Sequence, residues 1–280
     1  MKASEVVGAV GTAVEVALGL DLAVADTRVL HNSNKLALRL LPCDVFARVA
    51  FVGREVFQAE VEIGRRLAEA GSPVGSLEPR VEPRVYERDG FAVTLWTYYE
   101  QSRQDVSPAD YAKALERLHA GMAQVDVAVP HFTDRVAEAQ RLVASRDRTP
   151  GLEDSDRELL SSTLRNRSRT ISERSSPEQL LHGEPHSGNL LNTKSGPLFI
   201  DLETCCRGPV EFDLAHVPEE VSDCYSSADQ ELLRECRLLV LAMVAAWRWD
   251  PDDQFPDRDY WRVEELSQLR AALDRHGGMT

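Results

Sequence analysis

Short apolar runs, separated by turn-forming residues, dominate the first hundred residues of the chain. An apolar-rich stretch at residues 4–18 is typical of an amphipathic helix, and strand-like runs follow at 21–30, 35–41 and 45–52. Between the first two runs lies His31-Asn32-Ser33-Asn34, a polar segment that favours a turn. This pattern predicts one helix followed by several short strands.

A second helix and a hairpin complete this region. The helix is predicted from about residue 54 to residue 70, because apolar residues recur there at helical spacing and Gly71-Ser72-Pro73 ends the pattern. Strand-like runs at 84–88 and 91–96 are separated by Asp89-Gly90. An Asp-Gly pair in that position is a strong hairpin signal, so we expect the two runs to pair.

The remainder of the chain is predicted to be mostly helical. Ser107-Pro108 has the composition of a helix N-cap followed by proline at the first helical position. Further helices are expected at about 132–147 and 152–168, and the polar stretch 168–179 is expected to be a loop. A strand–turn–strand unit is expected at 181–202, and two or three helices should finish the chain.

These elements predict an α+β protein with two lobes. Residues 1–97 would form a small lobe with an antiparallel sheet and a helix, and residues 98–280 a larger, mostly helical lobe. A composition of 43% hydrophobic and 28% charged residues is that of an ordinary globular protein and provides for a sizeable core.

The charge balance excludes some classes of partner. The formal net charge is −14, whereas binding to nucleic acid or to an anionic membrane needs a basic surface. We therefore expect no nucleic-acid or membrane partner. An acidic surface would tolerate or attract a cationic small molecule. The alternative interpretation is that the negative charge only keeps the protein in solution.

The sequence also bears on location and redox chemistry. No apolar stretch approaches the roughly 18–20 residues of a membrane span, and Glu5 and Glu15 interrupt the apolar N-terminus, so we expect a cytoplasmic protein. The five cysteines lack paired C-x-x-C spacing, which indicates free thiols and neither a disulfide framework nor a zinc site. Lysine occurs only at Lys2, Lys35, Lys113 and Lys194, so arginine supplies the other 28 of the 32 basic residues.

Residues 180–218 carry the candidate chemistry. His182, Glu184, His186 and Asn189 lie in a short segment with two glycines and a proline, which predicts a tight loop. Asp201 ends an apolar strand in the hairpin that follows. A few hard oxygen ligands, with neither thiols nor paired imidazoles, suit Mg²⁺ that is held partly by phosphate oxygens.

The spacing of these residues sharpens the prediction. Kinase-type phosphoryl transfer uses a base and a metal-binding Asn five residues apart, then a second metal ligand in the next loop. Here Glu184 and Asn189 have that separation, and Asp201 follows the hairpin. The segments His182–Asn189, Ile200–Glu203 and Gly208–Ala215 resemble the H-G-D-x-H-x-x-N, I-D-[FW]-E and G-x-x-x-x-D-L-A motifs of the aminoglycoside phosphotransferase and choline kinase family.

The resemblance implies a bilobal, protein-kinase-like fold and a role for each matching residue. Asn189 and Asp201 would hold Mg²⁺ at the phosphates of ATP or GTP, and Glu184 would accept the proton of a substrate hydroxyl or orient it. His182, His186 and Asp213 would support the loop. The activity implied is transfer of a γ-phosphate to a hydroxyl of a small molecule, either an antibiotic or a metabolite, and the acidic composition would suit a cationic one.

The same resemblance extends more weakly upstream. Arg48 would occupy the strand position that commonly presents lysine to the phosphates, and Glu60 would pair with it; Glu55 and Glu62 are the alternatives to Glu60. The nucleotide-binding residues implied by the resemblance also include positions in the turn after the first strand and at the inter-lobe hinge: Ser33, Asn34, Trp96 and Tyr98.

One residue departs from the family pattern. Glu184 stands where the family nearly always has Asp, and its additional methylene moves the carboxylate by about 1.5 Å. An active kinase adjusted around Glu184 is the leading hypothesis, and an inactive nucleotide- or ligand-binding protein of the same fold is the alternative. A metal hydrolase that uses Glu184, His186 and Asp201 would leave the spacing of Asn189 unexplained.

Overall fold

The computed structural model describes residues 1–33, 35–53, 56–174, 176–253 and 255–277. The helices are α1 Ala3–Leu18, α2 Val56–Glu69, α3 Pro108–Met122, α4 Phe132–Ala144, α5 Asp154–Glu173, α6 Val210–Leu214, α7 Glu219–Ser222, α8 Gln230–Trp247 and α9 Arg258–Gly277. The strands are β1 Val24–Asn32, β2 Leu36–Pro42, β3 Val45–Phe51, β4 Tyr86–Arg88, β5 Phe91–Thr97, β6 Gln179–Leu181, β7 Leu190–Thr193, β8 Gly196–Phe199 and β9 Cys206–Gly208.

Packing divides the chain into two compact units. The sheet unit comprises Met1–Val127 and Ser187–Cys205, and the helical unit comprises Ala128–His186 and Cys206–Thr280. The lobe boundary predicted between residues 97 and 98 is based on secondary structure, and it stays a prediction. The packing units are a different division of the chain, in which residues 98–127 and 187–205 are grouped with the sheet.

The sheet unit is built on an antiparallel sheet. In the described part of the chain its five strands have the order β1-β2-β3-β5-β4. Leu36, Leu38 and Leu40 alternate along β2 and face a core to which α1 also contributes. This sheet and the helical remainder of the chain confirm the predicted α+β class.

The predicted hairpin forms between β4 and β5. Arg88 pairs with Phe91, and Asp89 and Gly90 have φ values of 50° and 79°. Two consecutive positive φ angles give a turn whose twist matches that of the flanking strands, and Asp-Gly favours such a turn. The sequence signal therefore acts through local backbone preference.

A second hairpin, β7–β8, is flanked by the two predicted metal ligands, Asn189 and Asp201. Leu190 pairs with Phe199, and the Ile200 amide donates to the Asn189 carbonyl at 3.0 Å. The Gly75 amide donates to the Phe199 carbonyl at 2.9 Å, which ties the hairpin to the segment after α2. Asn189 and Asp201 consequently lie at the same end of this hairpin.

The helical unit packs around α8. Phe132 of α4, Leu160 and Leu164 of α5, and Phe212 of α6 are fully buried in the same core as the apolar residues of α8. The rings of Phe132 and Phe212 are in contact, with centroids 5.2 Å apart. Phe132 is the first residue of α4, so this core anchors the start of that helix.

The loop predicted at 168–179 is wrong in its first part. Helix α5 continues to Glu173, because Ile171 is buried in the core and Arg167 pairs with Glu235 of α8 at 2.8 Å. Long-range contacts thus extend the helix through a segment whose apolar residues are too sparse to show helical periodicity.

None of the helices in the described residues is both long enough and apolar enough to span a bilayer.

Replacing Gly90 by alanine should destabilise the protein by about 1–2 kcal/mol, because an L-residue must then adopt the left-handed conformation. No described atom lies within 4 Å of the added Cβ, so backbone strain is the main cost. The free energy of unfolding in urea measures the effect.

Gly11→Ala is the matched control for Gly90→Ala. Gly11 also has open space around a Cβ, but its backbone is helical, so alanine should stabilise the protein by about 0.5–1 kcal/mol. Changes of the same sign in the two variants would contradict this account.

Candidate functional site

A buried ion pair joins β3 to α2. Arg48 projects from β3, and its Nη1 donates to Glu60 Oε1 on α2. Glu60 Oε1 also accepts from the Leu202 amide at 3.2 Å, and both side chains are buried. Among the alternatives to Glu60, Glu62 instead pairs with Arg65 and Arg66, and Glu55 lies outside the described residues.

Asp201 follows β8 in an uncommon backbone conformation. Its φ of 64° and ψ of 66° are left-handed, a region in which Asp and Asn are enriched among non-glycine residues. Arg48 Nη2 donates to Asp201 Oδ1 at 2.9 Å and to Glu203 Oε1 at 3.3 Å. The same guanidinium therefore contacts α2 and the segment after β8.

Lys35, immediately before β2, is the second cation at this position. Its Nζ lies 2.7 Å from Glu203 Oε2 and 3.2 Å from Asp201 Oδ1. We name Lys35, Arg48, Glu60, Asp201 and Glu203 the charged cluster. With all five ionised it carries one net negative charge.

Burial and charge act in opposite directions within the charged cluster. Burial raises the pKa of Asp201, but Arg48 and Lys35 more than offset burial and lower that pKa to about 2. Burial lowers the pKa of Arg48, yet the three carboxylates raise it above its ordinary value overall. Burial raises the pKa of Glu60 to about 7, against the opposing charge of Arg48. Asp201 is thus ionised at neutral pH.

Four residues of the charged cluster, all but Glu203, line a cleft of about 750 Å³, a volume in the range of small-molecule sites. Apolar residues line much of it, including Leu30, Phe46, Leu191 and Ile200. The cleft therefore combines an apolar part with a charged end.

The oxygen donors at this charged end fit Mg²⁺ only if a bound phosphate group supplies further oxygen ligands. Asn189 and Asp201 both line the cleft. Within the described ranges, no group of three or more His, Cys, Asp or Glu side chains is arranged to hold a metal ion. One or two carboxylates plus phosphate oxygens are the usual environment of Mg²⁺, which suits this set.

The other predicted nucleotide-binding residues have different surroundings. Ser33, Trp96 and Tyr98 line the cleft, whereas Asn34 lies outside the described residues. Trp96 is largely buried, and its Nε1 donates to Thr94 Oγ1 at 2.9 Å. The Tyr98 ring lies under the Arg39 guanidinium, 3.9 Å from ring centroid to Cζ.

In the helical unit, Asp213 fixes the backbone of the loop after β6. Its carboxylate is fully buried and accepts from the His182 amide at 2.9 Å and from the Gly183 amide at 2.8 Å. The Glu184 amide donates to His182 Nδ1 at 3.4 Å. Asp213 and His182 therefore hold the start of this loop, while His186 is exposed.

Glu184 is held by a residue that the sequence did not indicate. Arg135 of α4 donates from Nη2 to Glu184 Oε1 and from Nη1 to the Gly183 carbonyl at 3.1 Å. Burial raises the pKa of Glu184, but Arg135, His216 and His186 lower it below its ordinary value overall. Glu184 is consequently ionised at neutral pH.

His216, two residues after α6, is partly buried near this pair. Its ring makes an edge-to-face contact with Phe212, and its Nε2 is buried with no hydrogen-bond partner in the described part of the chain. Burial lowers the pKa of His216 from 6.5 to about 4. The imidazole is therefore neutral at neutral pH.

Four residues of these clusters received no place in the predicted site: Lys35, Arg135, Glu203 and His216. Lys35 carries a usable signal, because it is one of four lysines in an arginine-rich chain and lies beside the predicted turn. Glu203 is the last residue of the Ile200–Glu203 motif, but its position in the sequence is as consistent with a structural role in the loop as with a contact to substrate. Arg135 and His216 come close to Glu184 only through packing, and nothing in the local sequence marks them.

The amino-acid sequence is similar to a phosphotransferase family model and to known kinases. Residues 44–249 match the model of the phosphotransferase enzyme family. Serine/threonine protein kinase RdoA of Salmonella typhimurium is 29% identical over 124 residues. That match spans 34% of this chain and 37% of the relative's length.

Solved structures confirm the predicted protein-kinase-like fold. Amicoumacin kinase hAmiN, solved with AMP-PNP, Ca²⁺ and Ami, has a TM-score of 0.70 and 11% identity, with 96% of each chain covered. Choline kinase LicA from Streptococcus pneumoniae has a TM-score of 0.69 and 14% identity, with 95% of this chain and 99% of that chain covered. At these identities the similarity shows the fold alone.

The protein should become less stable as the pH falls from about 6.5 to about 4, because His216 stays neutral in the folded state over this range. Its pKa is about 4 when folded, against 6.5 ordinarily, so the unfolded state binds more protons between these values. The free energy of unfolding should therefore fall as the pH drops from about 6.5 to about 4, by up to about 3 kcal/mol from this residue. Urea unfolding across this pH range measures the slope.

His216→Gln should flatten that part of the pH dependence. His31→Gln, at an exposed position of β1, is the control and should keep the wild-type slope. A His216→Gln protein with an unchanged slope would show that another group is responsible.

Proposed function

The chain belongs to the phosphotransferase enzyme family, and from this premise we propose that it transfers the γ-phosphate of ATP or GTP to a hydroxyl group of a small molecule. The observation that carries the proposal is the charged cluster at the end of the 750 Å³ cleft. There, two cations and an ionised Asp201 lie beside Asn189, in the combination that phosphates and a divalent cation require.

The proposed nucleotide contacts divide between two parts of the cleft. The apolar part, with Leu30, Phe46 and Ile200, would accept the base, while Arg48 and Lys35 would donate to phosphate oxygens. Asn189 and Asp201 would hold Mg²⁺, which in such a site neutralises charge on the transferred phosphoryl group. Glu60 would keep Arg48 oriented toward the phosphates.

Glu184 is proposed to orient the acceptor hydroxyl. A carboxylate that is ionised at neutral pH can accept a hydrogen bond from the hydroxyl and take its proton as the new bond to phosphorus forms. A pKa below the ordinary value makes Glu184 a weak base, so its contribution would be mainly to orientation.

A small molecule is favoured over a protein as the acceptor. Between Asp201 and α6, which begins at Val210, the chain forms only a short 3₁₀ helix and β9. This leaves no segment long enough to form the peptide-binding activation loop of protein kinases. The similarity to a serine/threonine protein kinase covers a third of the chain, so protein acceptors belong among the assayed substrates.

A cationic acceptor receives limited support from the helical unit. Five acidic residues there are candidates for a polycation: Asp134, Glu138, Glu219, Glu220 and Asp223. Asp134 accepts from the His131 amide at 2.8 Å as part of a helix cap, and Glu219 pairs with Arg237 at 3.1 Å. Since Arg135 also balances the charge of Glu184, preference for a cation would have to come from the remaining residues.

Asp201→Asn should weaken the binding of Mg-AMP-PNP at least tenfold, because the amide removes the negative charge that binds the cation. Asn tolerates the left-handed backbone, so the fold should remain intact. Isothermal titration with and without Mg²⁺ measures the affinity. Magnesium-dependent binding of unchanged strength would overturn the assignment of Asp201.

Asp21→Asn is the matched control for Asp201→Asn. Asp21 also has a left-handed backbone, with φ of 60°, but it is exposed in the turn between α1 and β1. Its replacement should leave nucleotide binding unchanged. A similar loss in both variants would point to a general effect of the substitution.

Glu184→Ala should reduce phosphoryl transfer by at least about a hundredfold while nucleotide affinity stays within about twofold, because Glu184 acts on the acceptor. The measurement is a mass-shift screen over hydroxylated metabolites, neutral and cationic antibiotics and serine-containing peptides, with Mg-ATP and Mg-GTP. Wild-type transfer to an acceptor supports the proposal, and an unchanged rate in Glu184→Ala would remove Glu184 from it. Nucleotide binding without transfer to any acceptor would favour the alternative, an inactive binding protein of the same fold.

A further inference from the structure

One arginine of α4 contacts both the side chain and the backbone of the segment that carries Glu184. Arg135 Nη2 donates to Glu184 Oε1, and Nη1 donates to the Gly183 carbonyl at 3.1 Å. The guanidinium also lies over the Trp247 ring, 5.1 Å from its centroid. The Arg135 side chain is 15% exposed and that of Glu184 is 24% exposed. The contact is therefore largely shielded from solvent.

We propose that Arg135 is a positioning residue, which holds the Glu184 carboxylate where it can orient the acceptor hydroxyl. It would thereby compensate for the greater length of Glu184 relative to the aspartate of the family motif. This inference rests on the proposed function of Glu184. A glutamate carboxylate has one more rotatable bond than an aspartate carboxylate and extends about 1.5 Å further. The arginine fork restricts that freedom, because it binds the carboxylate and the adjacent carbonyl in a fixed relative geometry.

The position of Arg135 is itself well determined. It lies in the first turns of α4, whose start is set by a cap at His131 and by the buried Phe132. Trp247 supports the guanidinium from α8. The fork is thus held by two helices of the helical unit, so it can define where the Glu184 carboxylate lies.

The surrounding charges make Arg135 the main counterion. Three groups lower the pKa of Glu184: Arg135 from α4, His216 from the segment after α6, and His186 from its own loop. His216 is neutral at neutral pH, and His186 is exposed. Burial opposes ionisation of Glu184 and remains when Arg135 is removed. Without Arg135, Glu184 should therefore take up a proton at a higher pH.

Arg135→Gln tests the proposal in the full-length protein. The turnover number should fall by roughly a hundredfold, as expected for a carboxylate displaced by about 1 Å, while the KM for nucleotide stays within about twofold. The acid limb of the pH profile should move to higher pH, because Glu184 must be ionised to accept the hydrogen bond. Arg135→Lys keeps the charge without the fork, so it should leave the acid limb near its wild-type position and recover part of the turnover.

Arg141→Gln is the control for Arg135→Gln. It makes the same chemical change at an exposed position near the end of α4, and it should behave as the wild type does. A merely structural Arg135 would give a different result. Its variants would lose activity in proportion to the folded fraction, with an unmoved acid limb, and that outcome would overturn the proposal.

A cycle of unfolding measurements separates this proposal from the proposed function. The free energies of unfolding are measured for Arg135→Gln, Glu184→Gln and the double variant at neutral pH. Coupled side chains should give clearly non-additive changes, even if no acceptor is ever phosphorylated. Additive changes would overturn the role of Arg135 even in an active enzyme. Non-additive changes in a protein without transfer activity would instead overturn only the proposed function.

Discussion

The buried contact of Arg48 with Glu60 and Asp201 is the interaction on which the sheet unit depends. One guanidinium connects β3, α2 and the segment after β8. Removing one partner of such a buried pair typically costs about 3–5 kcal/mol, because the remaining charge stays uncompensated. Asp201, in its left-handed conformation, lines the same cleft as Asn189.

The same physical solution appears at Glu184 in the helical unit. Burial raises the pKa of each carboxylate, and a nearby arginine lowers it below the ordinary value. Both carboxylates are therefore ionised at neutral pH, as the proposed roles of Asp201 in binding a cation and of Glu184 in orienting a hydroxyl require. In both cases the arginine also fixes the direction of the carboxylate, which a lysine would do less well because it lacks the planar fork. An arginine-rich composition is compatible with this use of the residue.

Local signals in the sequence were sufficient for much of the fold. The Asp89-Gly90 turn, helix α1 and the cap at Ser107 follow from backbone and side-chain preferences within a few residues. The extension of α5 to Glu173 was missed, because Ile171 and Arg167 are stabilised by α8, more than sixty residues later. The candidate site divides in the same way. Motif spacing indicated Glu184, Asn189 and Asp201, whereas Arg135 carries no local mark.

The sequence by itself determined the family and the α+β class, and it predicts Asn189 and Asp201 as oxygen ligands, since these inferences depend on residue type and on spacing along the chain. Only the tertiary structure decided the counterions. Lys35, just before β2, and Arg48 of β3 reach Asp201 from more than 150 residues earlier in the chain, and Arg135 reaches Glu184 from a helix 49 residues away. Charge pairing depends on distance in space and on burial, and neither is encoded in the spacing of a motif.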